Sequence, residues 1–397
     1  MIETEVKGVN KLHLGVIGLG NMGSEHCRMV VSGKAPEIEL CCVADLRQER
    51  RDWAEKTLPE NVKVYASGQE LIDAADCDAV IIAVPHYDHP VLAEAALKRG
   101  LHVLCEKPVA VYTAQVPPVL AAAKESGKTF ALMFNQRTNC VYRKMKEILD
   151  SGELGEMKRM SWTITDWYRS QAYYDSGSWR ATWDGEGGGV LLNQCPHQLD
   201  LLQWICGLPV KVRAFAHEGK WHDIEVEDDV TAYLEFANGA TGVFIASTGD
   251  LPGTNRLEIT CDQGKMICEG GKLWMWKLPM SESEGYRHGA DAYPQPKIEP
   301  IEVETDGENP QHIGVTNAFA AHILHGTPLV AEGEEGLRAL MLSNAMHLSA
   351  WLERPVELPI DEELFARLLR ARRLTSRKKN TTDVTFTTDH SATGKAL

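Results

Sequence analysis

Short apolar, β-branched runs alternate with amphipathic stretches through the first third of the chain. Leu12–Ile17, Ile38–Ala44, Val80–Val84, His102–Cys105 and Thr129–Phe134 read as buried strands. Between them, Met22–Val31, Leu46–Leu58, Pro90–Arg99 and Gln115–Ser126 carry apolar positions at helical spacing. Strand and helix trading places every ~20–30 residues predict a parallel sheet with right-handed crossovers. After about residue 136 the pattern changes. Arg143–Asp150 reads as helix, and longer alternating runs follow at Met157–Thr165, Val210–His217, Val230–Ala237, Thr241–Thr248 and Leu257–Cys261. Asn238-Gly239 and Asp262-Gln263-Gly264 suit hairpins between such runs, so the second sheet is expected to be mainly antiparallel. Residues 281–310, rich in Pro, Glu and Gly, read as loop. Helices are expected at Gly314–Leu324, Glu334–Trp351 and Ala366–Lys379, with Asn380–Leu397 as a polar tail. The fold class is α/β, with domains expected at 1–136 and 137–360 and a basic helix and tail at 361–397.

Composition narrows the partners. The 397 residues carry 41 basic and 56 acidic side chains, a net charge of −15. Such a surface repels phosphate backbones, which argues against nucleic acid as a partner. The Arg/Lys-rich helix near the end is read as a solvated face balancing that charge. Ten cysteines are scattered with no C-x-x-C, which indicates neither a zinc ribbon nor a disulfide scaffold, and reduced thiols fit a cytoplasmic protein. No apolar run approaches the ~20 residues of a membrane helix. The opening residues lack a basic region ahead of an apolar stretch, so no secretory leader is expected.

Gly18-Leu19-Gly20-Asn21-Met22-Gly23 follows the first strand and opens a helix. In that context the three glycines suit a tight turn, close approach of a pyrophosphate and helix–strand packing, with the phosphates at the helix N-terminus. Asp45 lies 22 residues past Gly23, at the end of the second strand. A carboxylate there accepts the adenosine ribose hydroxyls and repels a 2′-phosphate, which favours NAD over NADP; Arg47 partly offsets that repulsion.

Three further stretches carry a resemblance. They are Ala83-Val84-Pro85-His86-Tyr87-Asp88-His89 with Glu106-Lys107-Pro108; Gly187-Gly188-Gly189 running on to Asn193 and His197; and His312 with Asn317-Ala318-Phe319, Gly326-Thr327-Pro328 and Glu335-Gly336. In these the chain resembles the glucose–fructose oxidoreductase / inositol dehydrogenase (Gfo/Idh/MocA) family over about residues 12–360. The resemblance implies an N-terminal Rossmann domain and a C-terminal α/β domain with a large open sheet covering the nicotinamide. It also implies that the helices within 314–351 pack back toward the cofactor domain, and a homodimer or homotetramer built through the outer face of the sheet. The Lys107–Pro108 bond is expected to be cis.

The implied catalytic residues are Lys107 and His197. An ammonium stabilises a developing alkoxide, and an imidazole takes and returns a hydroxyl proton near neutral pH. Implied cofactor contacts are Gly18, Gly20, Asn21, Met22, Asp45, Leu46, Val84, Pro85, His86, His89, Glu106, Lys107, Asn135, Trp179 and Arg180. Asn193 stands where many members carry Asp, four residues before the histidine on the same helix face, and this shifts the acid–base burden onto His197 and Lys107. Asp200 either orients His197 or has a capping or structural salt-bridge role. Asp166, Trp167, Tyr168, Arg169, Tyr173 and Tyr174 form a polar-aromatic cluster. Asp166, Tyr168 and Arg169, with Lys107, Asn193 and His197, are its substrate candidates, and sheet-edge packing is the competing reading. Glu225, Glu227, Asp228 and Asp229 have no accompanying His/Cys spacing, so no metal is expected. The expected activity is NAD-dependent oxidation of a secondary hydroxyl, with C3 a candidate, on a sugar, cyclitol or glycoside. Two alternatives are glycoside cleavage through a transient 3-keto sugar with bound NAD, and a non-catalytic NAD/sugar-binding regulator.

Overall fold

A computed structural model describes residues 11–379, and the tail expected at Asn380–Leu397 lies outside them. The chain forms two compact units. The first runs through Val109 and takes in Val116–Asn135 and Pro310–Gly333; the second comprises Ala110–Gln115, Gln136–Asn309 and the chain from Glu334 onward. The chain thus returns to the first unit within the span 137–360 read as one domain.

Six parallel strands build the first unit: β1 (Leu12–Ile17), β2 (Ile38–Ala44), β3 (Lys63–Tyr65), β4 (Ala79–Ile82), β5 (His102–Cys105) and β6 (Phe130–Leu132). Their order, β3-β2-β1-β4-β5-β6, reverses direction between β1 and β4, and in such sheets the crevice at that reversal receives the ligand. Leu14, Val16, Val80, Ile81 and Ile82 are fully buried, as strands covered on both faces require. β3 and the helix Gly68–Ala74 have no counterpart in the sequence reading; three residues are too short to show a period. The helix Gln311–His325 lays Val315, Phe319 and Ala320 onto the core formed by Leu14, Val16 and Leu40.

The second unit is built on a nine-stranded sheet. Its strands are β7 (Met157–Ile164), β8 (Lys211–Glu218), β9 (Glu227–Glu235), β10 (Thr241–Ser247), β11 (Asn255–Cys261), β12 (Gly264–Glu269), β13 (Lys272–Lys277), β14 (Ile301–Glu302) and β15 (Val356–Glu357). The order is β14-β13-β12-β11-β7-β10-β9-β8-β15. Every pairing is antiparallel except β7 with β10. Both expected turns form hairpins, with Gly239 at φ +84° between β9 and β10. One face of the sheet buries Trp162, Val212, Leu234 and Phe244, while Phe215 and Tyr233 stand exposed on the other. The last helix spans Glu362–Leu374, capped by Asp361, which accepts the Leu364 N–H at 2.9 Å. It is amphipathic rather than solvated all round. Phe365 and Leu369 are buried, and the Arg372 guanidinium sits 4.1 Å from the Trp351 ring centre. Among the described residues no helix is long and apolar enough to cross a membrane.

Candidate active site

The glycine turn separates three physical jobs. Gly18 has φ +89°, and a Cβ there would lie 2.3 Å from the Ala83 carbonyl oxygen. A Cβ on Gly23 would fall 1.7 Å from the Gly18 carbonyl oxygen, so only glycine lets the helix α1 (Asn21–Met29) pack on the turn. At Gly20 a Cβ would meet nothing within 4 Å. Packing therefore does not require this glycine, and the open space beside it is what a pyrophosphate needs. Gly20 is also the N-cap of α1 and supplies no side-chain cap, which leaves the first-turn N–H groups facing that space. These residues fit a dinucleotide. Asp45 anchors the same loop: Oδ2 accepts the Leu19 N–H at 2.7 Å and Oδ1 accepts the Arg47 N–H at 2.9 Å. A carboxylate has about four acceptor sites, so capacity for ribose hydroxyls remains. The Arg47 Nε lies 3.7 Å from Oδ1.

Across the strand reversal, the segments after β4, β5 and β6 carry Val84, Pro85, His86, His89, Glu106, Lys107 and Asn135. The Lys107–Pro108 bond is cis. Two buried histidines brace this turn. His89 approaches the Pro108 carbonyl oxygen with Nδ1 (2.6 Å) and the Val84 carbonyl oxygen with Nε2 (2.8 Å), tying the loop after β4 to the loop after β5. Both ring nitrogens face backbone carbonyl oxygens. Burial holds the His89 pKa below its ordinary value. Glu106 is buried, with Oε1 2.7 Å from His26 Nε2 and Oε2 accepting the Lys107 N–H. Burial raises its pKa, but the hydrogen bond and charge of His26 outweigh that and bring it down to about 2. Its carboxylate thus ties the helix α1 to the turn at Lys107. His312 completes the cluster, its ring 5.8 Å from that of His26, and burial pushes its pKa down to about 4. His86 and Asn135 are also buried, and Asn135 Nδ2 donates to Gln311 Oε1 at 2.5 Å.

In the second unit the glycine run leads into a wide turn, closed by the Cys195 N–H to the Val190 carbonyl at 2.8 Å. The helix Pro196–Cys206 starts only after it. Asn193 lies in the wide turn and His197 in the first turn of the helix, so the two do not share one continuous helix face. Glu227 fixes the glycine run by accepting the Gly189 and Leu191 N–H groups at 2.9 and 3.0 Å. His347 lies 3.0 Å behind it. Asp200 forms the structural salt bridge: Arg137 grips it through two bonds of 2.8 and 2.6 Å and also reaches Glu335 at 2.7 Å.

Along the extended segment after β7, Trp167 and Arg169 turn inward, whereas Asp166 and Tyr168 are exposed. Arg169 stacks on Trp167 and Tyr173, and Arg180 stacks on Tyr173 and Trp179 while donating to the Tyr173 hydroxyl at 2.9 Å. Tyr174 is structural, its hydroxyl 2.7 Å from the Thr248 hydroxyl oxygen. Trp167 Nε1, Arg169 Nε and Gln194 Oε1 are buried without a protein partner. Buried polar atoms of this kind point to ligand or water as the missing partner. Glu186 was not anticipated. It is buried, and it accepts from Asn193 Nδ2 and from the Ala181 N–H.

The acidic run 225–229 is occupied by protein donors. Glu225 accepts the Trp183 and Arg377 N–H groups, and Asp228 accepts three successive N–H groups from Lys220 to His222. Asp229 pairs with Lys220 and His217. A cavity of about 200 Å³ elsewhere in this unit is lined by Trp183, Glu218, Glu227, His347, Trp351 and Arg372, none of them a sequence-derived cofactor or substrate residue.

Comparison with known proteins agrees with both halves. Residues 12–134 match the oxidoreductase family with NAD-binding Rossmann fold, and residues 142–267 match the GFO/IDH/MocA C-terminal domain. Myo-inositol 2-dehydrogenase of Thermotoga maritima is 25% identical over 354 residues, covering 87% of this chain and 98% of that protein. The WlbA dehydrogenase of Chromobacterium violaceum, solved with NADH and UDP-GlcNAcA, is 25% identical with a TM-score of 0.76, covering 89% of this chain and 97% of the other. Levoglucosan dehydrogenase, solved with NADH, shares the fold at 21% identity and a TM-score of 0.74, covering 88% of this chain and all of the other.

Proposed function

Since the chain belongs to the GFO/IDH/MocA oxidoreductase family and uses NAD, we propose that it oxidises a secondary hydroxyl of a sugar, cyclitol or glycoside, with Lys107 and His197 handling the proton. The observation that carries this reading is the Glu106-Lys107-Pro108 turn, braced by His26 and His89 beside the strand reversal where the glycine loop fits a dinucleotide. Bound NAD supplies the hydride acceptor. Lys107 supplies positive charge for the alkoxide that forms as His197 takes the hydroxyl proton, the alkoxide becomes a carbonyl as hydride leaves its carbon, and His197 returns the proton in the reverse direction. Asn193 and Arg169 bind neighbouring hydroxyls, and the buried Trp167, Arg169 and Gln194 atoms without protein partners support a polyhydroxylated ligand. The named relatives act on, or were solved with, an inositol, a nucleotide-linked sugar and an anhydrosugar, so ring hydroxyls of pyranoses and cyclitols are the first to test, C3 among them. The exposed Phe215 and Tyr233 support self-association through the outer sheet face into a homodimer or homotetramer, and sedimentation of Phe215→Glu should show dissociation.

The direct test of the proton assignment is Lys107→Ala. It should still bind NADH, read by fluorescence, while kcat with the sugar or cyclitol that best reduces NAD falls at least ~10²-fold, the scale of general acid–base catalysis. Unchanged turnover would refute the assignment.

A further inference from the structure

A buried carboxylate, that of Glu186, lies against the Asn193 side chain. Glu186, 2% exposed, comes from the tight turn 182–187, where its own N–H bonds the Thr182 carbonyl at 2.9 Å. One of its oxygens accepts the Ala181 N–H at 2.5 Å, and the other accepts from Asn193 Nδ2. Ala181 sits at φ +52°, a strained setting for alanine that aims its N–H at Glu186. Burial raises the Glu186 pKa above the ordinary carboxylate value, and the Arg180 charge, the Asn193 bond and the Ala181 N–H oppose that rise and favour the ionised form.

A primary amide has a donor end and an acceptor end, and the partner on one side decides which end faces the other. An ionised carboxylate only accepts. It therefore holds the Asn193 nitrogen to itself and turns Oδ1 the opposite way. We propose that Glu186 is a positioning residue acting through Asn193, fixing the amide so that its oxygen serves as acceptor for a substrate hydroxyl. The amide then presents an acceptor to the substrate, as a carboxylate would. The inference rests on Asn193 being a substrate contact, as in the proposed function.

The substitution Glu186→Gln discriminates this role from mere packing. The Ala181 N–H demands an acceptor, so the single oxygen of the introduced amide goes there and its NH₂ faces Asn193. The amide of Asn193 then inverts and offers a donor to the substrate. Glu186→Gln should lower kcat/KM about tenfold, the cost of one hydrogen bond. Asn193→Asp alone should also lower it, since two carboxylates then share one buried contact. Together the two changes should restore activity to within about threefold of the parent. In the double variant the introduced glutamine donates to the introduced aspartate, and an acceptor again faces the substrate. Rescue of this kind supports the proposal, and additive losses overturn it.

Melting temperatures of the same four proteins read the contact without substrate. Asn193→Asp should melt lowest, and the double variant no lower than Glu186→Gln; additive melting losses would show that the two side chains are not coupled and overturn the proposal. If the melting data couple as expected while no sugar or cyclitol reduces NAD, the proposed reaction is refuted and this role of Asn193 with it.

Discussion

His312 and Glu106 share one buried pocket with His26, and both titrate away from their ordinary values in the same direction. His312 falls from 6.5 to about 4 through burial, so in acid the unfolded chain takes up its proton first. Stability is therefore full above pH 6.5 and declines as pH falls to 4, by about 3 kcal/mol for this residue. Glu106, lowered from 4.5 to about 2, extends the loss through that lower range as it too becomes protonated in the unfolded chain first. Urea unfolding between pH 7 and 4 should show the first decline in the parent and a flatter curve in His312→Gln. An unchanged slope would contradict the burial argument. Removing the His26 partner should be more severe at neutral pH, since a buried carboxylate left unpaired costs about 3–5 kcal/mol. The melting temperature of His26→Ala should drop accordingly. None of this was legible in the sequence: His26 and Glu106 are 80 residues apart, and a histidine on a helix carries no mark of its partner. Glu186 was hidden for the opposite reason, since it lies in plain view in Asp184-Gly185-Glu186 but looks like an ordinary acidic turn residue.

At the scale of elements, the glycine turn offers the clearest separation of fold from ligand. Gly23→Ala forces a Cβ onto the Gly18 carbonyl oxygen, and Gly20→Ala meets no protein atom. The first should lower the melting temperature sharply. The second should leave it unchanged while weakening NADH affinity at least about tenfold, as titration by fluorescence would show. Equal behaviour of the two variants would mean that the open space beside Gly20 is not the pyrophosphate site. The strands β1, β2 and β5 and the hairpin turns were readable because each is a local pattern: a continuous apolar run, or a turn that needs φ above zero. β12 and β13 were missed: each is only six residues long, and lysines stand at both ends of β13. The parallel pairing of β7 with β10 joins segments about 80 residues apart, and no local period encodes it.

On the scale of the whole molecule, an acidic chain of −15 builds a parallel and a mixed sheet, and the comparisons put both in one oxidoreductase family. Family and cofactor were legible because the glycine turn, Asp45 and Glu106-Lys107-Pro108 fall at strand ends, where sequence spacing and ligand geometry coincide. The substrate was not, because its candidate contacts are side chains gathered from Trp167, Arg169, Asn193 and Gln194, whose orientations depend on tertiary packing. Whether hydride from a sugar or cyclitol remains on the nicotinamide is the most direct question. Purified protein with excess NAD should be offered a panel of pyranoses, cyclitols and glycosides, following NADH absorbance alongside released aglycone. Stoichiometric NADH formation with one class of polyol, absent in Lys107→Ala, is the predicted result. Aglycone release without net NADH, or no reduction of NAD by any of them, would contradict the account.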